Sequence, residues 1–252
     1  MRRITRTRSL ATGVLTVAAL AFLASSASAP AATDGAGFVS VSAAHKCLVM
    51  TGSGDPAFTK NFNPYAGGGL PSNSIAQGAF YEPLIVTPAG GSKTIPWLAR
   101  SWKWSNKNKT LTLNLAKNAK WKDGTRLTSA DVFYSLTAGK QDKTMDRIGM
   151  TGADNNVASV KVKGLWTVAI NLTTPDSQFI SAILNRQFVV PKHIWEKVKD
   201  FSKFNNDKSF PIVGNGPFIL TDYKADSYVR LKPNKTFWRG APKFDELVFK
   251  YY

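Results

Sequence analysis

A mixed α/β or α+β fold is what the sequence predicts, and three observations predict it. Short apolar runs and strictly alternating segments recur along the chain, mixed with helical stretches, yet no regular strand–helix–strand alternation develops. Hydrophobic residues make up 43% and charged residues 19% of the 252 residues, a globular composition that excludes wholesale disorder. No internal repeat or low-complexity tail interrupts the pattern, and the length allows one large domain or two small ones.

The first element is not part of the fold. Met1–Ser9 is basic, Leu10–Leu23 is apolar, and small residues follow from Ala24. That is the layout of a secretory signal, and the apolar run is shorter than the ~20 residues a membrane-spanning helix needs. Pro30 argues against a cut after Ala29, so the signal is read as residues 1–31 and residues 32–45 as a flexible lead-in. The protein is therefore expected to be exported, to the periplasm or the cell surface of a bacterium.

Cys47–Thr51 reads as a buried strand ended by the Gly52–Pro56 turn. Asn61–Tyr65 and Gly67–Gly69 read as a loop, and Ser74–Phe80 as a short helix leading to Tyr81–Ile85. Leu111, Leu113 and Leu115 alternate in a half-buried strand that pairs with Trp102–Trp104 across the Ser105–Lys109 turn. Thr128-Ser-Ala-Asp131 has the form of a capping box, so a helix starts at Ser129. Val157–Val162 and Trp166–Leu172 form a second hairpin. Pro175–Asn185 reads as a helix with Phe179, Ile180, Ile183 and Leu184 inward, and Pro191–Trp195 opens another. After a Gly/Pro loop, Phe210–Phe218, come strands at Ile219–Tyr223, Tyr228–Lys232 and Glu246–Tyr251.

Charge narrows the function. Lys plus Arg number 33 against 16 Asp plus Glu, for a net +17. Either nucleic acid or an anionic cell surface could answer that charge. The lysines are dispersed, however (Lys103, Lys107, Lys109, Lys117, Lys120, Lys122), with no basic helix, zinc finger or aromatic RNA-binding segment, and nucleic acid is not expected as a partner. The single cysteine, Cys47, excludes an internal disulfide framework and reads as a small buried residue. His45 and His193 lack metal-ligand spacing, so neither metal nor cofactor is expected. Gly214-Asn-Gly-Pro217 lacks the Gly-Lys-Ser/Thr of a phosphate loop. No nucleophile elbow exists. Glu82 and Asp123 are the carboxylates a secreted hydrolase could use, though a turn role for Asp123 and a capping or pairing role for Glu82 explain them more simply.

Four ordered segments carry a resemblance. Pro96–Ser105, Thr110–Leu115 with Ala119–Leu136, Pro211–Leu220 and Leu231–Leu247 are together similar to the family 5 solute-binding proteins, which serve peptide, nickel and oligosaccharide ABC importers. The resemblance covers residues 46–252. It implies an α/β lobe of the type II periplasmic-binding-protein kind, with a mixed sheet, helices and β-hairpins. It also implies non-enzymatic capture of a small solute, an oligopeptide before an oligosaccharide, and delivery to ABC permease subunits in the membrane. Family members are about twice as long. Residues 46–252 thus resemble an N-terminal lobe whose second lobe is missing, and a non-functional truncated product is a further reading. On that view Phe244–Tyr252 should lie at an edge or extend away. The ligand wall is expected from Gly54, Asn61, Phe62 and Asn63, from Phe80 and Tyr81, and from Asn215 and Gly216, because loops past apolar runs gather at one sheet edge. The alternative is that Phe62 and Phe80 are core and the glycines merely turn the chain.

Overall fold

The computed structural model describes residues 46–52, 61–65, 71–88, 93–140, 145, 156–201, 204 and 212–251. The predicted signal, the lead-in through residue 45, Gly54 and the Gly67–Gly69 run lie outside the described residues. In chain order the elements are β1 (Cys47–Gly52), α1 (Pro71–Ala79), β2 (Ile85–Val86), β3 (Ile95–Pro96), β4 (Ala99–Ser105) and β5 (Thr110–Leu115). Then come α2 (Ser129–Thr137), β6 (Val157–Gly164), β7 (Thr167–Leu172), a π-helical turn at Phe179–Leu184, α3 (Lys192–Trp195), β8 (Phe218–Lys224), β9 (Tyr228–Pro233) and β10 (Glu246–Tyr251).

Two four-stranded sheets result, ordered β1-β10-β9-β8 and β4-β5-β7-β6. In the first, β1 runs parallel to β10 and the other pairs are antiparallel. The register puts Leu48, Leu247, Leu231 and Leu220 in one cross-strand row that meets the core. One expectation is corrected here. The Phe244–Tyr252 segment is not an edge, because β10 is an interior strand paired with β1 on one side and β9 on the other. Leu247 and Val248 are both buried, on opposite faces. The anchoring is local: Lys46 donates its main-chain N–H to Asp245 at 2.9 Å, and the Asp245 N–H returns to the Lys46 carbonyl at 2.9 Å.

The second sheet realises the alternating pattern. Trp102 faces Leu113 and Trp104 faces Leu111 across the β4–β5 hairpin. Leu111, Leu113, Val168 and Ile170 all point inward and are fully buried. The opposite face is polar and hydrogen-bonded across strands. Asn114 Nδ2 donates to Ser101 Oγ at 3.1 Å, Thr110 Oγ1 to Asn171 Oδ1 at 3.0 Å, and Asn171 Nδ2 to Ser159 Oγ at 2.8 Å. The β4–β5 turn passes through three consecutive left-handed residues, Asn106, Lys107 and Asn108, with φ of 50°, 52° and 62°. Asparagine tolerates that region and lysine rarely enters it.

Helix α2 starts where its capping box predicts. Thr128 is extended, its Oγ1 accepts from the Ala130 N–H at 3.3 Å, and Asp131 Oδ2 accepts from the Thr128 N–H at 2.8 Å. Asp131 Oδ1 also accepts from the Lys192 N–H at 3.0 Å, so one carboxylate starts α2 and anchors α3. The helix predicted over 175–185 is shorter. Asn156 Oδ1 accepts the Thr174 N–H and Asp176 Oδ1 accepts the Gln178 N–H, both at 2.8 Å, so side-chain bonds hold the entry residues in turns. Only Phe179–Leu184 coils, with Phe179 and Leu184 buried and Ile180 half-buried. Helix α1 is broken at Gln77–Gly78, where Gly78 takes φ 95°. Cys47 begins β1 as expected but is half-buried rather than buried, its thiol 3.5 Å from Glu246 Oε2. No helix among the described residues is long and apolar enough to cross a membrane.

Candidate functional site

The expected ligand-wall residues fall into a cluster with its own internal logic. Phe62 and Phe80 meet edge to face with ring centroids 5.5 Å apart, and Phe62 meets Tyr223 at 6.1 Å. Tyr81 and Tyr65 each meet Trp195 edge to face, at 6.1 and 5.8 Å, and Trp195 also contacts Phe201 and Phe204. Asn61 Oδ1 accepts from the Asn63 N–H at 3.0 Å, a turn that the sequence's Asn-Phe-Asn-Pro invites. Asn63 in turn donates Nδ2 to the Phe201 and Phe204 carbonyls at 3.0 and 3.2 Å and accepts the Tyr65 N–H at 2.8 Å. The N–H groups of Asn215 and Gly216 both converge on the Phe80 carbonyl at 2.9 Å.

Convergence is therefore real for Phe62, Phe80, Tyr81, Asn215 and Gly216. Exposure is not. Phe62 and Asn63 are 0% exposed, Phe80 is 2%, and Tyr81 and Asn215 are 1%. Their surfaces are spent on one another, as buried amides and rings require. Among the described residues of the expected wall, only Asn61, half-buried, retains open surface. Strand polarity divides the expected wall further. β8 and β10 both run antiparallel to β9, so β1, β10 and β8 all point the same way. Asn215 and Gly216 precede β8, at the edge opposite the one where β1 ends at Gly52. The seven residues of β8 rise ~3.3 Å each, so those two edges stand ~20 Å apart. Asn215 and Gly216 follow the apolar Pro211–Val213 run, but their loop enters a strand and does not leave one.

A polar centre that the sequence only hinted at lies beside this cluster. Glu82 is 1% exposed. Its Oε1 accepts the Trp97 indole N–H at 2.7 Å, and its Oε2 accepts the Trp238 indole N–H at 2.6 Å and the Asn215 amide at 3.4 Å. The Glu82 main chain accepts from Val189 at 3.0 Å and donates to Asn215 Oδ1 at 3.2 Å. Arg239 caps the arrangement from outside, its guanidinium carbon 4.0 Å from the Trp97 ring centroid and 5.3 Å from that of Trp238. Burial pushes the Glu82 carboxyl up to about 8, against the opposing pull of the Trp238 and Trp97 hydrogen bonds and the Arg239 charge. The signal for this centre was an acid inside the apolar Phe80-Tyr-Glu-Pro-Leu-Ile85 run; the tryptophans that answer it come from 15 and 156 positions away.

Glu82 and Asp123 thus sit in unlike settings. Asp123 lies at the surface, where Oδ2 meets His193 Nε2 at 2.7 Å and Oδ1 accepts the Thr125 N–H at 2.9 Å. Burial pushes Asp123 up, but the Thr125 and His193 hydrogen bonds outweigh it and hold the carboxyl below its ordinary value. The pair that a hydrolase would need is divided between a saturated interior carboxylate and a surface turn.

Comparison with known proteins places this architecture. The model of the bacterial extracellular solute-binding proteins, family 5, matches residues 93–252. A Brucella ovis protein named as an ABC transporter peptide-binding protein is 30% identical over 201 residues, covering 79% of this chain and 37% of its own length. The oligopeptide-binding protein AppA of Bacillus subtilis, solved with a nonapeptide, superposes with a TM-score of 0.67 at 26% identity, covering 82% of this chain and 40% of that one. A Thermotoga maritima oligopeptide-binding protein solved with mannohexaose gives a TM-score of 0.69 at 26% identity, over 81% of this chain and 37% of that one. The chain therefore spans about two fifths of the length of these relatives. The match over residues 93–252, carried on the α/β fold described above, shows that the chain belongs to the bacterial extracellular solute-binding proteins of family 5.

Proposed function

We propose that this chain contributes to the solute-capture component of an ABC importer and that its solutes are oligopeptides. The observation that carries the reading is the 30% identity, over 79% of the chain, to a protein named as peptide-binding. The likeness to a structure holding a nonapeptide supports it. Residues 1–31 are read as an export signal, 32–45 as a lead-in and 46–252 as one lobe. Capture is non-covalent and needs neither catalysis nor a cofactor. The solute lies against this lobe, closure about a hinge buries it, and permease subunits receive the closed form.

The buried geometry shapes the site proposal. Solutes of open α/β sheets bind beyond the carboxyl ends of the strands, which here means the edge where β1 and β10 finish. Gly54, which follows β1, and Asn61 are proposed as contacts, with main-chain groups pairing with an extended ligand. Phe62, Asn63, Phe80, Tyr81, Asn215 and Gly216 are proposed as the layer beneath, which fixes the loop through the packing already described. A second reading, an oligosaccharide solute, is favoured by the mannohexaose complex of the Thermotoga relative.

The test is calorimetric titration of a di- to pentapeptide library, and of manno-oligosaccharides in parallel, into the purified protein and its Asn61→Ala variant. Peptide binding weakened at least tenfold by the substitution supports the proposal. Saturable sugar binding without peptide binding establishes the second reading. Binding of neither overturns both.

A further inference from the structure

The solute reading leaves the charge unexplained. No acidic residue falls between Glu82 and Asp123, or between Asp154 and Asp176. Those two stretches supply all four strands of the β4-β5-β7-β6 sheet. The sheet is therefore built from strands without a single carboxylate, and the register shows where its cations stand. Lys103, Thr112, Ala169 and Lys161 form one cross-strand row on the face turned away from the core, with Lys103 and Lys161 exposed. Lys163 is exposed at the end of β6. Three strand spacings of ~4.8 Å set the two ends of that row ~14 Å apart. Between them the surface offers hydroxyls and amides held in fixed positions by the cross-strand bonds of Asn114, Thr110 and Asn171.

We propose that this outer sheet face is a docking surface for an anionic, hydroxyl-bearing polymer of the phosphodiester class, such as a cell-envelope polyol phosphate. Charge complementarity carries the choice of partner. Exposed lysines at both ends of a row whose strands carry no carboxylate attract a polyanion laid across the sheet. Serine, threonine and asparagine side chains are the common partners of phosphate and sugar oxygens. Two other anionic partners are disfavoured by what the face lacks. Trp102 and Trp104 point to the opposite side, so among the described residues the strands present no ring on this face for a nucleic-acid base to stack on. Ala169, only 2% exposed, is the apolar side chain of the central row; the exposed apolar side chains nearby, Val162 and Leu165, stand at the β6 end, outside that row. Membership in an extracellular family places such a polymer within reach. The surface is independent of the captured solute.

The test uses the whole chain with poly(glycerol phosphate) as probe, immobilised for surface plasmon resonance at 25 and 150 mM NaCl. A Lys103→Gln/Lys161→Gln/Lys163→Gln variant removes the proposed cations. A Lys197→Gln/Lys199→Gln/Lys224→Gln variant removes the same charge from exposed lysines elsewhere. Thermal melts confirm that both fold. The proposal expects salt-sensitive binding that the face variant weakens at least tenfold, with a salt dependence flatter by two to three ions' worth (roughly one per lost phosphate contact), and that the control variant changes less than threefold. Equal loss in both variants would mean that net charge alone acts, and would overturn it. So would phosphatidylglycerol vesicles or an oligo-dT strand binding as tightly as the polymer with the same face dependence, since either would identify a lipid or nucleic-acid surface instead.

Discussion

Replacing Glu82 by Gln tests whether its buried carboxyl carries a proton in the folded protein. Burial raises the group from 4.5 to about 8. A carboxyl raised on folding binds its proton more tightly in the native state than in the unfolded chain. Its contribution is therefore fully present below the unfolded value and is lost as pH rises through the folded one. Wild type should lose stability steadily between pH 5 and pH 8, relative to a variant that cannot titrate there. At ~1.4 kcal/mol per unit the shift corresponds to a loss of a few kcal/mol, with the opposing pull of the indole donors and Arg239 already included in the raised value. Glu82→Gln is the reference because Gln resembles the neutral acid and keeps one acceptor for an indole. The assay is urea unfolding followed by tryptophan fluorescence at pH 5, 6, 7, 8 and 9 for both proteins. The difference in unfolding free energy, wild type minus variant, should fall by a few kcal/mol across that range. A difference that rises with pH would show that the ionised form is the one the two indoles stabilise, and the burial argument would be refuted. Glu82→Ala supplies a second check. It strips the acceptor from Trp97, Trp238 and Asn215 together, and at ~1–3 kcal/mol for each donor left unsatisfied it should cost more than Gln at every pH.

Leu113→Ala should cost ~2–5 kcal/mol in urea unfolding, because Leu113 is fully buried on the core face of β5, between β4 and β7; a variant as stable as wild type would mean that the strand does not face a core. Thr128→Ala removes the cap of α2 and should cost ~1 kcal/mol by the same assay. Gly216→Ala should cost ~1–3 kcal/mol or more, because a Cβ there would meet the Ala79 carbonyl oxygen at 2.3 Å and backbone atoms cannot step aside cheaply. A Gly216→Ala protein with an unchanged melting midpoint would mean that the loop sits farther from Ala79 than described.

What could be read from sequence was whatever local periodicity decides. The Leu111–Leu113–Leu115 alternation and the Thr128-x-x-Asp131 box each contain their own answer, since a strand face and a helix cap are settled within a few residues. The ligand wall was a different kind of question. Gly216 was expected to let the main chain approach a ligand and the Gly214-Asn-Gly-Pro217 segment to be a tight backbone crossing, and a close approach is what both glycines provide. The approaching backbone belongs to the protein itself. A Cβ at Gly214 would stand 2.1 Å from the Phe80 carbonyl oxygen, and one at Gly216 would stand 2.7 Å from the Ala79 carbonyl carbon. That same Phe80 carbonyl takes the Asn215 and Gly216 N–H groups. A glycine that admits a ligand and one that admits another chain segment look identical in a sequence, because the steric demand is the same and only the partner differs. The partner is 133 residues away for Glu82 and Asn215, beyond any local pattern. The Glu82 centre was hidden for the same reason: an acid in an apolar run signals a buried carboxylate, but its two indoles come from β3's end and from the loop after β9. Burial then shows which property of the aromatic residues the fold uses. Phe62, Phe80 and Tyr81 were candidates for a ligand surface because rings near glycines suit one, and the fold uses those same properties to pack the rings on Tyr223 and Trp195 behind the loop. A residue can shape a binding edge in this way without touching what binds there.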